Sequence, residues 1–431
     1  MSNTAPNVRG ELALAKWTRS IKQSGLRDML AVASRLDVIS FALGMPAPEL
    51  FPRDAYARAS AFVLSNDPHA LQYGVPFQPL KKHIVELMAR RGVCCSEAQI
   101  FLTSGAQHAL SLLAHIFLEP EGQVLMEETV YDGLQMAIKP FQPEILTVPT
   151  DLRDGINLKA VEALLAEGAR PAFIYVIPEG HNPLGVSMSF QKRAALVELA
   201  RRYRVPVIED DAYGFLCYDG APNLPLRALD EDWVFYVGSF SKILAPALRV
   251  GWVIVPESLM PLMSIAKHTS DMDVSTITQR IVSNCLDTGF LPAHIVTLQR
   301  EYRVRRDAML CALNKHFPAD VCWTKPGSGM FIWVELPVQL NAIEVLKCAL
   351  ESERVAFIPG QAFCATEGQH ASNCLRLNFT NCSLAGIEEG IARLSRTIRD
   401  VIDKHNLKKE QDNILGILPG AYIPSEQRVT S

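Results

Sequence analysis

A lysine preceded by two hydroxyls and followed by an arginine stands out in this chain. Lys242 ends Gly238-Ser-Phe-Ser-Lys242, and Arg249 follows seven residues later in Leu248-Arg-Val-Gly-Trp252. Ser239, Ser241 and Arg249 are residue types that grip a phosphate, and a lysine beside them can act as an amine nucleophile that forms a Schiff base. An isolated lysine is ordinarily a solvated surface charge; here the neighbours give it a sharper reading. Asp210 closes Val205-Pro-Val-Ile-Glu-Asp210, and a buried carboxylate there needs a cationic partner, for which a protonated pyridine nitrogen would serve. Tyr213 follows three residues on, and Asn182 stands earlier in Glu179-Gly-His-Asn-Pro183, where Asn-Pro alone is only a turn signal.

These groups fall at the carboxyl ends of predicted strands, where open α/β sheets place their ligands. The strand candidates are Val124–Glu127, Phe173–Pro178, Val205–Asp210, Val234–Ser239 and Val250–Pro256, and a helix starting near Ser187 or Ser189 carries Leu196, Leu199, Ala200 and Tyr203 on one stripe. Buried strands alternating with helices predict a parallel or mostly parallel sheet covered on both faces. Beyond Asp287 the texture changes to one long charged helix, His294 to His316. A turn at Pro326–Gly329, a strand at Met330–Leu336, a helix at Ala342–Glu353 and a strand at Leu375–Phe379 follow. Arg376 alternates with Leu375, Leu377 and Phe379, which reads on composition as an exposed strand charge. The expected organisation is an arm with part of a small domain over 1–50, a large domain over 51–290, a small α+β domain over 291–406 and a tail over 407–431, read as a frayed end.

Composition narrows the function classes. The 431 residues are 48% hydrophobic and 20% charged with a net charge of −4. Mean hydropathy is +0.10 and the pI is near 6.2. A disordered, collagen-like or coiled-coil chain is excluded, and the slight acidity argues against nucleic acid or anionic membranes as general partners. Small molecules remain. The ten cysteines show no zinc spacing and read as buried thiols in a reducing cytoplasm; the amino terminus shows no signal peptide and no apolar run is long enough to span a bilayer. No metal site, Walker motif or complete dinucleotide fingerprint is legible, and Gly327-Ser-Gly329 reads as a turn. Arg201-Arg-Tyr-Arg204 reads as a helix end that complements the dipole, and His108, His115 and His181 as structural, His181 being near the candidate site.

Taken together and in order, several motifs resemble the fold-type I pyridoxal-phosphate enzymes of the class I/II aminotransferase group, in the branch of the kynurenine/α-aminoadipate aminotransferases. They are Ser20-Ile-Lys-Gln-Ser-Gly-Leu-Arg27, Ser40-Phe-Ala-Leu-Gly-Met-Pro46, Leu71-Gln-Tyr-Gly74, Thr103-Ser-Gly-Ala-Gln107, Glu127-Glu-Thr-Val-Tyr131, His181-Asn-Pro-Leu-Gly185, Glu209-Asp-Asp-Ala-Tyr213, Ser239-Phe-Ser-Lys-Ile-Leu-Ala-Pro246 and Leu375-Arg-Leu-Asn-Phe379. The resemblance covers nearly the whole chain. It implies a large domain with a seven-stranded, mostly parallel sheet, a small α+β domain, and a cytoplasmic homodimer that moves an amino group between an α-amino acid and a 2-oxo acid.

By the same resemblance Lys242 carries pyridoxal 5′-phosphate as a Schiff base and later moves the substrate Cα proton. Asp210 pairs with the pyridine nitrogen, Asn182 and Tyr213 hold the ring 3′-oxygen, and Tyr131 stacks on the ring. Ser239, Ser241, Arg249 and the amides of Gly105, Ala106 and Gln107 hold the phosphate, which Tyr73 reaches from a second copy. Arg376 clamps the substrate α-carboxylate, with Asn182 and Gly44 beside it. The chain departs from the family pattern at Ala106, Thr129-Val130, Leu184, Ala212 and Ala247, and it lacks the customary glycine before Leu80. Two other outcomes are weighed: β- or γ-elimination or replacement on an activated amino acid or S-adenosylmethionine, which the same residues could serve, and a non-catalytic regulator, for which the roughly 40 residues before the Ser40–Pro46 motif are short.

Overall fold

The structure is a computed structural model that describes residues 14–19, 35, 37–366 and 370–417. The Ser20–Arg27 motif and residues 418–431 of the predicted tail lie outside the described residues.

Seven strands build the main sheet: β1 (Ile100–Thr103), β2 (Gln123–Glu127), β3 (Glu144–Val148), β4 (Ile174–Val176), β5 (Val207–Asp210), β6 (Val234–Ser239) and β7 (Gly251–Ile254). Their spatial order is β1-β7-β6-β5-β4-β2-β3, and β7 alone runs antiparallel to both its neighbours. Every other pairing in this sheet is parallel. The predicted runs are apolar and buried on both faces because helices cover both. In β4 and its flanks Phe173, Tyr175 and Ile177 pack into one core cluster, while Ile174 and Val176 pack into the other.

Helix α1 (Ala106–Phe117) covers the first face with Ala109, Leu110 and Leu113, and helix α3 (Phe190–Tyr203) covers the second with Leu196, Val197 and Ala200. Between them in the chain, α2 (Asp132–Ile138) is a short helix over the end of β2. The start of α3 follows the sequence reading, because the Ser189 side chain accepts a hydrogen bond from the Lys192 amide and satisfies one orphan donor of the first turn.

The predicted charged helix starts earlier than His294: α4 runs Leu291–His316, with Pro292 in a first turn that needs no amide donor there. It leads to a four-stranded antiparallel sheet of β8 (Cys322–Trp323), β9 (Phe331–Glu335), β10 (Ile358–Pro359) and β11 (Cys374–Asn378), ordered β8-β9-β11-β10. The predicted helix at Ala342–Glu353 is α-helical to Cys348 and ends in a wider π turn, Ala349–Glu353. Residues Ile39–Ser40 pair in parallel with Val355–Ala356, which brings the early chain alongside this second sheet.

Two expectations are corrected. The tail predicted from Leu407 begins within a continuing helix, α5 (Leu384–Ile417), because no proline or glycine stands between Gly390 and Gly416 to break the helical pattern. The ten cysteines are all free, but only Cys285 and Cys374 are buried; Cys94, Cys311 and Cys322 are exposed and the other five intermediate. Cys322 sits on an edge strand, and Cys311 points away from the core stripe of α4 formed by Met309, Ala312 and Leu313.

Candidate active site

A cavity of about 290 Å³ opens between the carboxyl ends of the main-sheet strands and the second sheet. Most of the predicted residues meet there: Gly44, Ala106, Gln107, Tyr131, Asn182, Asp210, Tyr213, Ser239, Ser241, Lys242, Arg249 and Arg376. Gly105 lies directly behind Arg249. Tyr73 is not among them. It is 88% exposed on a surface loop of this single chain.

Lys242 is delivered by β6. The strand ends at Ser239, whose side chain accepts from the Ser241 amide at 3.1 Å and so tightens a 3-10 turn, Phe240–Lys242. Phe240 anchors that turn against Trp252 of β7, with ring centroids 4.9 Å apart. The Lys242 Nζ donates to the Gly44 carbonyl at 2.8 Å, which accounts for the placing of the Ser40–Pro46 motif over the cavity. Burial, then the positive charges of Arg376 and Arg249, push the Lys242 amine down to about 8, against an opposing pull from Asp210.

The phosphate-gripping types lie together. The Ser239 hydroxyl donates to Ser241 at 2.9 Å, and Arg249, in left-handed conformation at φ 50°, donates to the Ser104 carbonyl at 2.9 Å. Gly105 caps α1 at φ +85°, and a Cβ there would stand 2.5 Å from the Arg249 guanidinium. Gly251 is equally constrained, since its Cβ would meet the Gly105 backbone at 2.8 Å. The first-turn amides of Ala106 and Gln107 have no helical carbonyl to bond, and a helix amino terminus favours an anion. A phosphate held here is met by two hydroxyls, a guanidinium and a helix end. The Gln107 side chain is engaged elsewhere: its Nε2 donates to the Gly133 carbonyl at 2.7 Å, and Tyr131 donates to its Oε1 at 3.4 Å. What Gln107 offers the cavity is its backbone.

Asp210 ends β5, fully buried. Tyr175 of β4 donates to its Oδ2 at 2.9 Å, while Oδ1 has no hydrogen-bond partner. Burial raises its carboxyl to about 6, although the Tyr175 hydroxyl works against that. A buried acceptor with a lone pair that no donor meets, at a cavity wall, is the complement of a protonated ring nitrogen.

Arg376 is buried, not the exposed strand charge that composition favours. Strand β11 is covered on both faces, and the guanidinium stacks on Phe331 at 4.1 Å and Phe363 at 4.7 Å. It donates to the Asn182 Oδ1 and to the Ala42 carbonyl, each at 2.7 Å. Its Nε has no partner. Asn182 also hydrogen-bonds Tyr213, whose ring packs edge-on to Phe331 at 5.8 Å. Burial lowers the Arg376 guanidinium to about 10, which keeps it cationic at neutral pH.

Several lining or supporting residues escaped the sequence reading, among them Tyr175, Phe331 and Asp132. Tyr175 holds Asp210, and the available signal was a lone tyrosine in an aliphatic buried strand, whose hydroxyl must find a partner. Phe331 forms the stacking floor under Arg376, and Asp132 faces the cavity directly after Tyr131. The structural histidine readings fit what surrounds these residues. His181 lies 2.9 Å from Glu127, both buried, His108 pairs with Asp271 at 3.4 Å, and His115 bonds the Ser111 carbonyl at 2.7 Å. Arg201 and Arg202 pair with Asp230 and Glu162 at the carboxyl end of α3.

The sequence profile described as Aminotransferase class I and II matches residues 55–394. The chain is 37% identical over 409 residues to Aromatic-amino-acid aminotransferase 1 of Thermococcus litoralis, spanning 93% of this chain and 97% of that protein. It is 36% identical over 399 residues to 2-aminoadipate transaminase of Thermus thermophilus, spanning 90% and 97%. Among solved structures, the multiple substrate aminotransferase of Thermococcus profundus superposes with a TM-score of 0.86 at 35% identity, over 92% of this chain and 100% of that one.

Proposed function

The chain belongs to the class I and II aminotransferases, and from that premise we propose how its cavity moves an amino group between an α-amino acid and a 2-oxo acid. The observation that carries the proposal is the juxtaposition of a depressed lysine amine, an unpartnered buried aspartate oxygen and a phosphate-sized cradle in one cavity.

These residues fit pyridoxal 5′-phosphate. Arg249, Ser239, Ser241 and the amides of Gly105, Ala106 and Gln107 would hold its phosphate, Asp210 Oδ1 its ring nitrogen, and Asn182 and Tyr213 its ring oxygen, with Tyr131 against the ring face. When bound, the cofactor supplies an electron-withdrawing ring conjugated to the substrate amine, which makes the Cα–H acidic. Lys242 would hold it covalently at rest through Nζ. Near pH 8 a large fraction of that amine, once displaced by the substrate, would be neutral, so Nζ could take the proton from the substrate Cα. The Asp210 carboxylate stays ionised against the ring N–H, because the new cation replaces the solvation that burial removed. Arg376 receives the α-carboxylate as a guanidinium fork, held in place by Phe331 and Phe363.

Three further assignments belong to this reading. Tyr73 serves the site of a second copy, the domains divide near residues 50 and 290, and the protein works in the cytoplasm, to which its ten unpaired thiols are suited. Elimination or replacement is not favoured by family membership. One half-reaction tests the function: the pyridoxal form mixed with amino donors and no acceptor is expected to give stoichiometric pyridoxamine phosphate and 2-oxo acid. Consumption of O-acetylated amino acids or S-adenosylmethionine with the pyridoxal form regenerated, and no conversion by any donor, would overturn it.

A further inference from the structure

The turn Gly327-Ser-Gly329 has no part in the chemistry above, yet Ser328 is only 1% exposed. Its hydroxyl donates to the Glu179 Oε1 at 2.7 Å, joining residues 149 positions apart. Glu179 is buried too and stands three residues before Asn182, in the loop that follows β4. Its charge is met by Arg193 of α3, fully buried, whose Nη2 donates to the Glu179 Oε2 at 2.6 Å and to the Pro178 carbonyl at 2.7 Å. Glu179 is therefore a fixed post on the main-sheet side, and Ser328 is tied to it from the turn that leads into β9.

The directions of the hydrogen bonds in this seam are fixed by chemistry. The Gly180 amide can only donate, to the Ser187 hydroxyl at 3.1 Å, and a carboxylate paired with a guanidinium can only accept. Ser187 therefore donates to the Ser328 hydroxyl at 2.8 Å, and Ser328 donates to Glu179. Such a chain polarises along its length. The backbones meet on both sides of it: a Cβ on Gly180, at φ +58°, would stand 2.6 Å from the Gly329 Cα, and one on Gly185, at φ +68°, would collide with the Phe331 carbonyl. From there a circuit closes through the cavity wall. The Phe331 ring lies 4.1 Å from the Arg376 guanidinium, and Arg376 returns to the same loop by donating to the Asn182 Oδ1 at 2.7 Å. Where Arg376 stands relative to Asn182 thus depends on how closely the Ser328 turn sits on the loop after β4.

We infer that Ser328, through its bond to Glu179, is a positioning residue for the carboxylate clamp: it does not line the cavity, and it sets where Arg376 stands within it. Without the hydroxyl, Glu179 Oε1 becomes a buried acceptor with no donor, and the turn must shift or admit a water to satisfy it. The inference rests on the function proposed above for the role of Arg376.

The test separates carboxylate recognition from amine binding and reads neither through turnover. α-Methylnorvaline has no Cα proton to lose, and 2-aminopentane is the same molecule with hydrogen in place of the carboxylate. Their effects on the cofactor absorbance of the holoenzyme give two dissociation constants. The parent protein is expected to bind α-methylnorvaline at least about thirtyfold more tightly than 2-aminopentane, the share of a charge-assisted carboxylate pair. Ser328→Ala should lower that ratio about fivefold, the size of one buried hydrogen bond, with 2-aminopentane bound as by the parent. Gly180→Ala, whose Cβ pushes the Gly329 backbone away, should lower the ratio at least as far. In an Arg376→Ala background Ser328→Ala should change the ratio by less than about twofold, because the group it positions is gone. An unchanged ratio in either single variant, or the full loss repeated in the Arg376→Ala background, would overturn the inference alone. A parent that binds both ligands alike would overturn the clamp role of Arg376 and this inference together.

Discussion

Asp210 and Lys242 illustrate how burial prepares a group for a partner. In the cofactor-free protein the Asp210 carboxyl is raised to about 6 from an ordinary 3.8, chiefly by burial. The folded chain therefore binds more protons than the unfolded chain between those values, so this group's stabilising contribution is complete below about pH 4 and is lost as pH rises through about 6. Thermal melts of the cofactor-free protein across that range should show the decline, and Asp210→Asn should flatten it, because an amide oxygen can still accept from Tyr175. In the holoenzyme the same substitution removes the charge that holds the ring nitrogen protonated, and kcat should fall roughly a hundredfold or more, about 2.7 kcal/mol of transition-state stabilisation. Arg376→Ala should leave the cofactor bound yet cost on the order of 2–4 kcal/mol in kcat/KM for an α-amino acid, the loss of one side of a desolvated charge pair. Unchanged kinetics would mean that the guanidinium stacked on Phe331 serves only the fold. Lys242 and Asp210 were legible in the sequence because their neighbours declare their chemistry. Tyr175 was not, since its contact with a residue 35 positions away follows from the pairing of β4 with β5.

At the scale of elements, the cradle depends on backbone approach as much as on side chains. β7 runs against its neighbours and brings Gly251 onto the Gly105 backbone, which sets the start of α1 beside Arg249. Gly105→Ala places a Cβ in a left-handed φ against the guanidinium, a cost of ~1–2 kcal/mol before any movement of Arg249. The expected outcome is cofactor dissociation about tenfold easier in an otherwise folded protein, measured by the absorbance of cofactor retained after dilution. Retention equal to that of the parent would show that the loop adapts. The sequence predicted the strands because apolar, β-branched runs flanked by turn residues are specific to buried sheet. It overran the ends of β4, β5 and β7 by a few residues, because an apolar flank beside Pro206 or Pro256 is buried without entering the ladder. Composition alone misplaces Arg376 for a related reason, where the resemblance does not: alternation tells which residues share a face of β11, not whether the second face is also covered.

For the whole molecule, the single chain leaves part of its predicted site outward. Leu71, Tyr73 and Val75 are 79%, 88% and 83% exposed on one loop, an apolar surface that water does not favour. Covering it with a second copy would bring Tyr73 to a neighbouring cavity, so light scattering is expected to report a dimer or a multiple of one, and a stable monomer with full activity would refute that assembly. The chain's interior gave its fold class through composition and period, whereas its assembly depends on surfaces whose partner no single sequence contains. The central claim remains that one lysine, carried to the cavity by β6 and its 3-10 turn, holds the cofactor. Borohydride reduction of the holoenzyme followed by peptide mapping tests it most directly: the account predicts the pyridoxyl group on Lys242, and its recovery on any other lysine would contradict it.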